Sequence, residues 1–177
     1  MNFSPIIIVG GEPQSVFIEI LLKAFKKIRK PIILISSRTI LKKNIKRFNY
    51  RLKFNELNKD LSNIKKKKIN LIDINYKKFS FSKKRITSES NEFIKVSFNR
   101  ALKLIKNIKF AGLINGPVSK KTFLRGRYNG ITEYFGEKTD VKDTVMLIYN
   151  QKLSVSPLTT HIPISKVSKK IKKKKLL

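Results

Sequence analysis

The sequence predicts an α/β fold in which helices cover a mainly parallel β-sheet. Two observations carry this prediction. Residues 5–9 (P-I-I-I-V) form a short β-branched run that ends at Gly10-Gly11, which is typical of a buried strand entering a tight loop. Apolar residues then recur at helical spacing over 16–28, and a second apolar run follows at 32–35. A strand, a glycine loop, a helix and a strand in this order form a βαβ unit, which requires a parallel sheet.

The rest of the chain supplies further elements of the same kind. Ser88 to Ile108 has the pattern of an amphipathic helix, with Ser88 as its expected cap and Phe93, Val96, Ala101, Leu104 and Ile105 on its expected buried face. The remaining predicted strands are 52–54, 69–74, 111–115 (buried), 145–149 and 154–159, and the remaining predicted helices are 39–48, one beginning at 119–124, and a basic tail from Ser165.

Composition excludes several classes of site. The 177 residues contain no Cys and one His, which rules out disulfides, Cys-ligated metals and any site needing two His from one chain. We see no secretory signal and no apolar run of the ~18–20 residues that a membrane helix needs. A cytoplasmic protein is therefore the expectation.

The net charge of +30 raises the possibility of nucleic-acid binding. However, 33 of the 41 basic residues are Lys and only 8 are Arg, a skew that A/T-rich codons explain. Arg, with its bidentate guanidinium, is the more usual phosphate ligand. We therefore interpret most of the charge as solvated Lys and place nucleic-acid binding last among the candidate functions.

Four segments carry candidate functional residues. G-G-E-P at 10–13 and N-G-P-V-S-K at 115–120 each follow a predicted strand, where ligands bind in open α/β sheets. In the second of them, Lys120 can meet a phosphate or carboxylate, and the alternative is a plain turn with a solvated Lys. Thr132 and Glu133 in G-I-T-E-Y either bind a ligand or begin a helix. T-T-H-I-P at 159–163 places His161 after a predicted strand.

These segments, in this order, resemble the 4-hydroxythreonine-4-phosphate dehydrogenase family of pyridoxal phosphate biosynthesis. The resemblance rests on I-I-V-G-G-E-P, G-L-I-N-G-P-V-S-K at 112–120, Gly130 to Glu133, V-M-L-I at 145–148 and Thr159 to Pro163. It departs from the family at Ile131, where the family usually has a substrate-contacting His, and at Q-S-V-F-I-E after the first loop.

The resemblance implies a three-layer α/β/α fold like that of the isocitrate and isopropylmalate dehydrogenases. It implies a first domain over 1–125, incomplete, and the beginning of a second over 126–177, because the family's chains are about twice as long. It also implies NAD-dependent oxidation and decarboxylation of 4-hydroxythreonine 4-phosphate, a small phosphorylated amino acid, to 3-amino-2-oxopropyl phosphate.

Site roles follow from the same resemblance. Glu12 and Thr132 would bind substrate, Lys120 would be catalytic, and His161 would be one of three His that bind a divalent cation (Zn, Mg or Co). We expect Lys120, Thr132 and His161 to converge on one cleft. The resemblance also implies a homodimer. With a single His, we expect this chain alone to be inactive. It would then be a truncated or split form of the enzyme that needs a separately encoded second half, or a non-catalytic remnant.

Overall fold

The computed structural model describes residues 4–57, 61–77, 79–81, 87–141 and 143–171. Contacts divide the chain into two compact units, Met1–Phe123 and Leu124–Leu177. The first unit contains strands β1 (Ile6–Val9), β2 (Ile32–Ser36), β3 (Asn55–Glu56), β4 (Ile69–Asp73) and β5 (Gly112–Asn115), with helices α1 (Phe17–Ala24), α2 (Arg38–Arg47) and α3 (Ser88–Asn107). The second contains α4 (Ile131–Lys138) and α5 (Val167–Lys170).

The five strands form one sheet in the order β3-β4-β2-β1-β5, and every pairing is parallel. Connections β1–α1–β2 and β2–α2–β3 move along the sheet in one direction. The chain then returns from β3 to its neighbour β4, and β4–α3–β5 moves back across the sheet. Because parallel crossovers are right-handed, α1 and α2 lie on one face and α3 on the other. The three-layer α/β/α arrangement predicted from the sequence is confirmed.

Burial in the first unit follows the predicted pattern of a parallel sheet. All five residues of β2 are buried, and the last three of β1 are buried as well. Strands covered by helices on both faces require such continuous apolar runs. The core of this unit therefore lies around β1, β2 and β4.

Helix bounds agree with the sequence to within a few residues, with two corrections. The third helix is capped by Thr87 rather than Ser88, and Thr87 and Ser90 form a reciprocal capping box. Helix α1 ends at Ala24, and Phe25–Lys27 continue as a 3₁₀ turn. Val16 and Ile20, two apolar positions of the helical period over 16–28, are exposed, because α1 buries Ile18, Leu21 and Leu22 instead. On α3, the expectation that Val96 and Ile105 are buried is wrong, since both are exposed.

Within residues 39–124, one predicted strand is misplaced, one predicted helix is wrong, and the strand at 111–115 is confirmed while its predicted burial is wrong. The strand expected at 52–54 lies at Asn55–Glu56, where it pairs with β4. The strand over 111–115 is not buried: among the described strands β5 is at the sheet edge next to β1, and Ile114 is 46% exposed. The segment 119–124 forms turns and not a helix, with one helix-like bond from Phe123 N to Ser119 O (2.9 Å).

The predicted strands 145–149 and 154–159 are also wrong as members of the parallel sheet. Their residues meet in a single antiparallel bridge between Ile148 and Val155. The apolar run at 145–149 favoured a buried strand, but no described strand of this unit covers it. Val145 is therefore 77% exposed and Tyr149 73%. The basic tail forms a 3₁₀ turn (Ile164–Lys166) and α5, and its predicted continuation through 172–177 lies outside the described residues.

Candidate functional site

The first candidate site lies where the chain connections of the sheet diverge. Strands β1 and β5 are neighbours, but the crossover after β1 leads towards β2, whereas β5 is reached from β4 by the return crossover. Their carboxyl ends form a topological switch point, which is where open α/β sheets bind ligands. The loop Gly10–Glu12 follows β1, and the loop Gly116–Ser119 follows β5.

These two loops are in direct backbone contact. Glu12 N donates a hydrogen bond to Pro117 O (2.8 Å), and Gly116 N donates one to Val9 O (2.7 Å). Gly11 has φ of +68°, and a Cβ there would lie 2.5 Å from Pro117 O. A Cβ on Gly116 would collide with the carbonyl oxygen of Gly10. The glycines of both motifs are therefore required by the close approach of the loops.

The carboxylate of Glu12 links the same two loops. Its Oε1 accepts a hydrogen bond from Ser119 N (3.2 Å), while its Oε2 is buried and has no hydrogen-bond partner among the described residues. Burial raises the pKa of Glu12, and the bond from Ser119 partly opposes that rise. A buried carboxylate oxygen without a partner, at a switch point, is a candidate for binding a ligand.

We expect Glu12→Gln to change the pH dependence of stability. A raised pKa means that the folded protein favours the protonated carboxyl, so ionisation costs stability as the pH rises through the ordinary value of 4.5. The free energy of unfolding of Glu12→Gln, relative to the unsubstituted chain, should therefore increase between about pH 4 and pH 7. Urea unfolding across this range measures it, and a difference that stays flat or decreases would contradict the assignment.

Lys120 lies one residue beyond this contact. It is exposed and sits in the turn that replaces the predicted helix. The hydroxyl of Ser119 accepts a bond from Thr122 N (3.2 Å), which holds the turn in place. Lys120 is thus at the switch point of the first unit, whereas Thr132 and His161 belong to the second unit. Their convergence on one cleft stays a prediction.

The second unit contains a cavity of about 290 Å³ that two sequence motifs share. Thr132 and Glu133, in the first turn of α4, line it together with Thr159 and Thr160 of T-T-H-I-P. Its other lining residues are Thr144, Met146, Pro157, Leu158, Ile162 and Lys170. The lining thus includes the hydroxyls of three Thr from the two motifs, the carboxylate of Glu133 and the ammonium of Lys170. Such a cavity can bind a small polar ligand that carries both charges.

Within this cavity Glu133 resembles Glu12 of the first unit. Its Oε2 is buried without a hydrogen-bond partner among the described residues, and a Cβ on Gly130 would lie 2.9 Å from that oxygen. Gly130 is also the cap residue of α4, so Thr132 lies inside the helix and does not cap it. The capping alternative for Thr132 is therefore wrong, while Glu133 does lie in the first turn of the helix.

His161 is exposed, and its backbone is in the left-handed region with φ of +56°. The cavity is lined by its neighbours Thr160 and Ile162 rather than by His161 itself. Across the described ranges, no three His, Cys, Asp or Glu side chains are grouped as a metal ion would require. The described residues alone therefore do not fit a metal centre, and His161 as a metal ligand stays a prediction.

Sequence reasoning missed Lys170 and Thr144 as cavity residues. Lys170 lies in a run of Lys, where no spacing singles it out, and Thr144 precedes a segment predicted as a strand. The buried oxygen of Glu12 could not be predicted from the sequence either, because the burial of one carboxylate atom depends on how the two loops contact each other.

The fold and these loops define an α/β protein with two contacting loops at the carboxyl edge of a parallel sheet. The family model for "Pyridoxal phosphate biosynthetic protein PdxA" matches residues 27–177. The chain therefore belongs to this family, whose similar members carry the name 4-hydroxythreonine-4-phosphate dehydrogenase.

Similar proteins agree with this assignment. The chain is 31% identical over 175 residues to the 4-hydroxythreonine-4-phosphate dehydrogenase of Sulfurihydrogenibium sp. (strain YO3AOP1), a match that covers 94% of this chain and 52% of that protein. It is 27% identical over 172 residues to that of Aquifex aeolicus (strain VF5), with the same coverage. The chain thus spans about half the length of the curated relatives it matches.

Solved structures show the same fold. The crystal structure of a 4-hydroxythreonine-4-phosphate dehydrogenase from Burkholderia phymatum superposes with a TM-score of 0.83 at 20% identity, covering 99% of this chain and 56% of that one. A protein described as a putative 4-hydroxythreonine-4-phosphate dehydrogenase from Salmonella typhimurium gives a TM-score of 0.78. In the described part of the present chain, no helix is long and apolar enough to cross a membrane.

Proposed function

We propose that this chain binds 4-hydroxythreonine 4-phosphate in the cavity of its second unit and forms the substrate-binding part of an NAD-dependent dehydrogenase of pyridoxal phosphate biosynthesis. The observation that supports this most is the shared cavity. Two family-like motifs that are 25 residues or more apart in the sequence, G-I-T-E and T-T-H-I-P, line it together.

The cavity residues suit the charges of a phosphorylated amino acid. The hydroxyls of Thr132, Thr159 and Thr160 can donate to phosphate oxygens, and the ammonium of Lys170 supplies a positive charge. The unpartnered Oε2 of Glu133 can accept from the substrate ammonium. The ligand would thereby satisfy a buried acceptor that the described protein leaves without a bond.

In the first unit, the proposal assigns Glu12 to substrate binding and Lys120 to catalysis. Glu12 offers a buried carboxylate oxygen without a partner, and Lys120 offers an exposed ammonium at the same switch point. An ammonium there can bind a substrate carboxylate or hold a proton near a substrate oxygen. Both assignments rest on the geometry of the first unit alone.

The proposed reaction needs more than these 177 residues hold. The resemblance implies three metal-binding His, and His161 is the one His here. The loop after β1 also lacks a dinucleotide fingerprint, since Ser15 stands where the third Gly is expected. We propose that the remaining metal and NAD ligands come from a separately encoded second half, because a homodimer would supply a second His but not the third.

A second candidate is a non-catalytic relative that retains the fold and the substrate cavity. The isolated His161 and Ile131 at the family's usual His position favour it. The two candidates differ in turnover and not in binding. NAD reduction with added second-half polypeptide would assign the chain to the enzyme, whereas binding without any turnover in that mixture would assign it to the remnant.

We expect Thr132→Val to weaken binding of 4-hydroxythreonine 4-phosphate about tenfold or more, since a hydrogen bond to a charged group contributes about 1.5–3 kcal/mol. Isothermal titration of the intact chain measures this. The matched control is Ser168→Ala, which removes an exposed hydroxyl of α5 outside the cavity. Equal affinities for both variants would contradict the role of Thr132.

A further inference from the structure

The positive charge of this protein is not evenly distributed. Residues 20–54 contain twelve Lys and Arg and no Asp or Glu. These 35 residues also contain four of the eight Arg in the chain, namely Arg29, Arg38, Arg47 and Arg51. A codon bias towards Lys explains neither the absence of carboxylates nor this share of the Arg.

The fold places the helical part of this segment, which carries eight of the twelve cations, on one side of the sheet. Helices α1 and α2 pack against each other, and both lie on the face opposite α3. We call the exposed basic side chains of α1, α2 and the 3₁₀ turn after α1 the cationic helix face; they are Lys23, Lys26, Lys27, Arg38, Lys42, Lys43, Lys46 and Arg47. By contrast, α3 on the other side carries two acidic and four basic residues. The two helix layers of the first unit therefore differ in charge as well as position.

The charges of the cationic helix face are largely unneutralised. Within the described ranges, two of these cations form ion pairs. Lys23 pairs with Glu19 (2.6 Å), and Arg38 pairs with Glu56 and Asp73. Lys26, Lys27, Lys42 and Lys46 are exposed. Exposed like charges repel one another, and a polyanion relieves that repulsion on binding.

Aromatic rings lie among these cations. The Arg47 guanidinium is 4.2 Å from the ring centroid of Phe81 and 5.5 Å from that of Phe48, and Phe81 is 38% exposed. Guanidinium planes and aromatic rings are the groups on which unpaired bases stack. In α2 the large apolar residues Ile40 and Leu41 are buried, so this helix lacks the exposed apolar face that insertion into a lipid surface requires.

We propose that the cationic helix face binds the phosphate backbone of single-stranded nucleic acid. The contacts are electrostatic, with Arg47 and Phe81 offering a stacking surface to a base. This surface consists of residues of the first unit and shares none with the proposed substrate cavity, so the proposal does not depend on the proposed enzymatic function. It also revises the interpretation of the charge as merely solvated Lys.

Two variants with the same net charge test the proposal. One replaces Lys26, Lys27, Lys42 and Lys46 with Gln, and the control replaces Lys103, Lys106, Lys109 and Lys121 with Gln. All eight side chains are exposed. The probe is a fluorescein-labelled single-stranded RNA of about 20 nucleotides, longer than the ~4–16 nucleotides that one binding fold covers, with single-stranded DNA of the same sequence alongside. Fluorescence anisotropy over a range of salt concentrations gives the dissociation constant and its salt dependence.

We expect the first variant to bind at least about tenfold more weakly. The slope of the logarithm of the binding constant against the logarithm of the salt concentration should become shallower by up to about 2.8. Each of the four phosphates that the Lys no longer neutralise contributes about 0.7 to this slope. The control should stay within about twofold, because distant charges are screened beyond ~10 Å at 0.1 M salt. Equal weakening in both variants would overturn the proposal, since it would show a diffuse charge effect. So would tighter binding to phosphatidylserine vesicles than to RNA, which would indicate a membrane surface, or no measurable RNA binding at all.

Discussion

Gly116→Ala should destabilise the first unit by about 3 kcal/mol or more. The added Cβ would collide with the carbonyl oxygen of Gly10 and lie 3.0 Å from Cδ1 of Phe17. The first obstacle is backbone, which cannot rotate away as a flexible side chain can. The loops after β1 and β5 would have to separate, which would break the bond from Gly116 N to Val9 O (2.7 Å).

The matched control for this substitution is Gly112→Ala, in the same strand. A Cβ on Gly112 meets no atom within 4 Å, and its φ is not in the left-handed region. Ala there should change the free energy of unfolding by less than about 1 kcal/mol. Urea unfolding followed by circular dichroism measures both variants. Equal effects would show that the loop contact does not determine stability.

Asn70→Ala should cost about 3–5 kcal/mol. Asn70 is fully buried in β4, and its Nδ2 donates to Ile32 O (2.9 Å) and Lys65 O (2.9 Å). Its Oδ1 accepts from Lys65 N (2.8 Å) and from Asn55 Nδ2 (2.9 Å). Removing the amide leaves several partly or fully buried backbone groups without partners, so the turn at 65–68 and the β3–β4 pairing should loosen together.

The control for Asn70 is Asn107→Ala at the end of α3. Asn107 is exposed, and its Nδ2 donates to Lys103 O (3.0 Å) in its own helix. Its removal should change stability by less than about 1 kcal/mol, because water replaces the bond. Thermal unfolding of both variants measures the difference. A mild Asn70→Ala would mean that water can satisfy the same groups.

The sequence predicts most of the first unit because its signals are local. The run I-I-L-I at 32–35 and the period of α3 each specify one element, and both elements lie where predicted. The edge position of β5 is not a local property, since it depends on which strands lack a second neighbour. The run over 145–149 is as apolar as a buried strand. It differs from one in that no described strand or helix covers it, and this cannot be read from the run itself.

The same distinction between local and long-range signals applies to the candidate site. Motifs locate Glu12, Lys120, Thr132 and His161, because glycines, prolines and hydroxyls mark ligand loops in the sequence. Their surroundings depend on contacts between distant segments. The unpartnered oxygens of Glu12 and Glu133, and Lys170 at the cavity, are of this kind. Their detection requires coordinates, since no spacing in the sequence encodes them.

The most direct test of the central claim is an NMR titration of the ¹⁵N-labelled chain with 4-hydroxythreonine 4-phosphate. The claim is that this phosphorylated amino acid binds in the cavity of the second unit. We predict that the largest amide shifts fall in 130–134 and 157–162 and that Thr132→Val reduces them at equal ligand concentration. Shifts spread over the exposed Lys instead, or no shifts at saturating ligand, would contradict the claim.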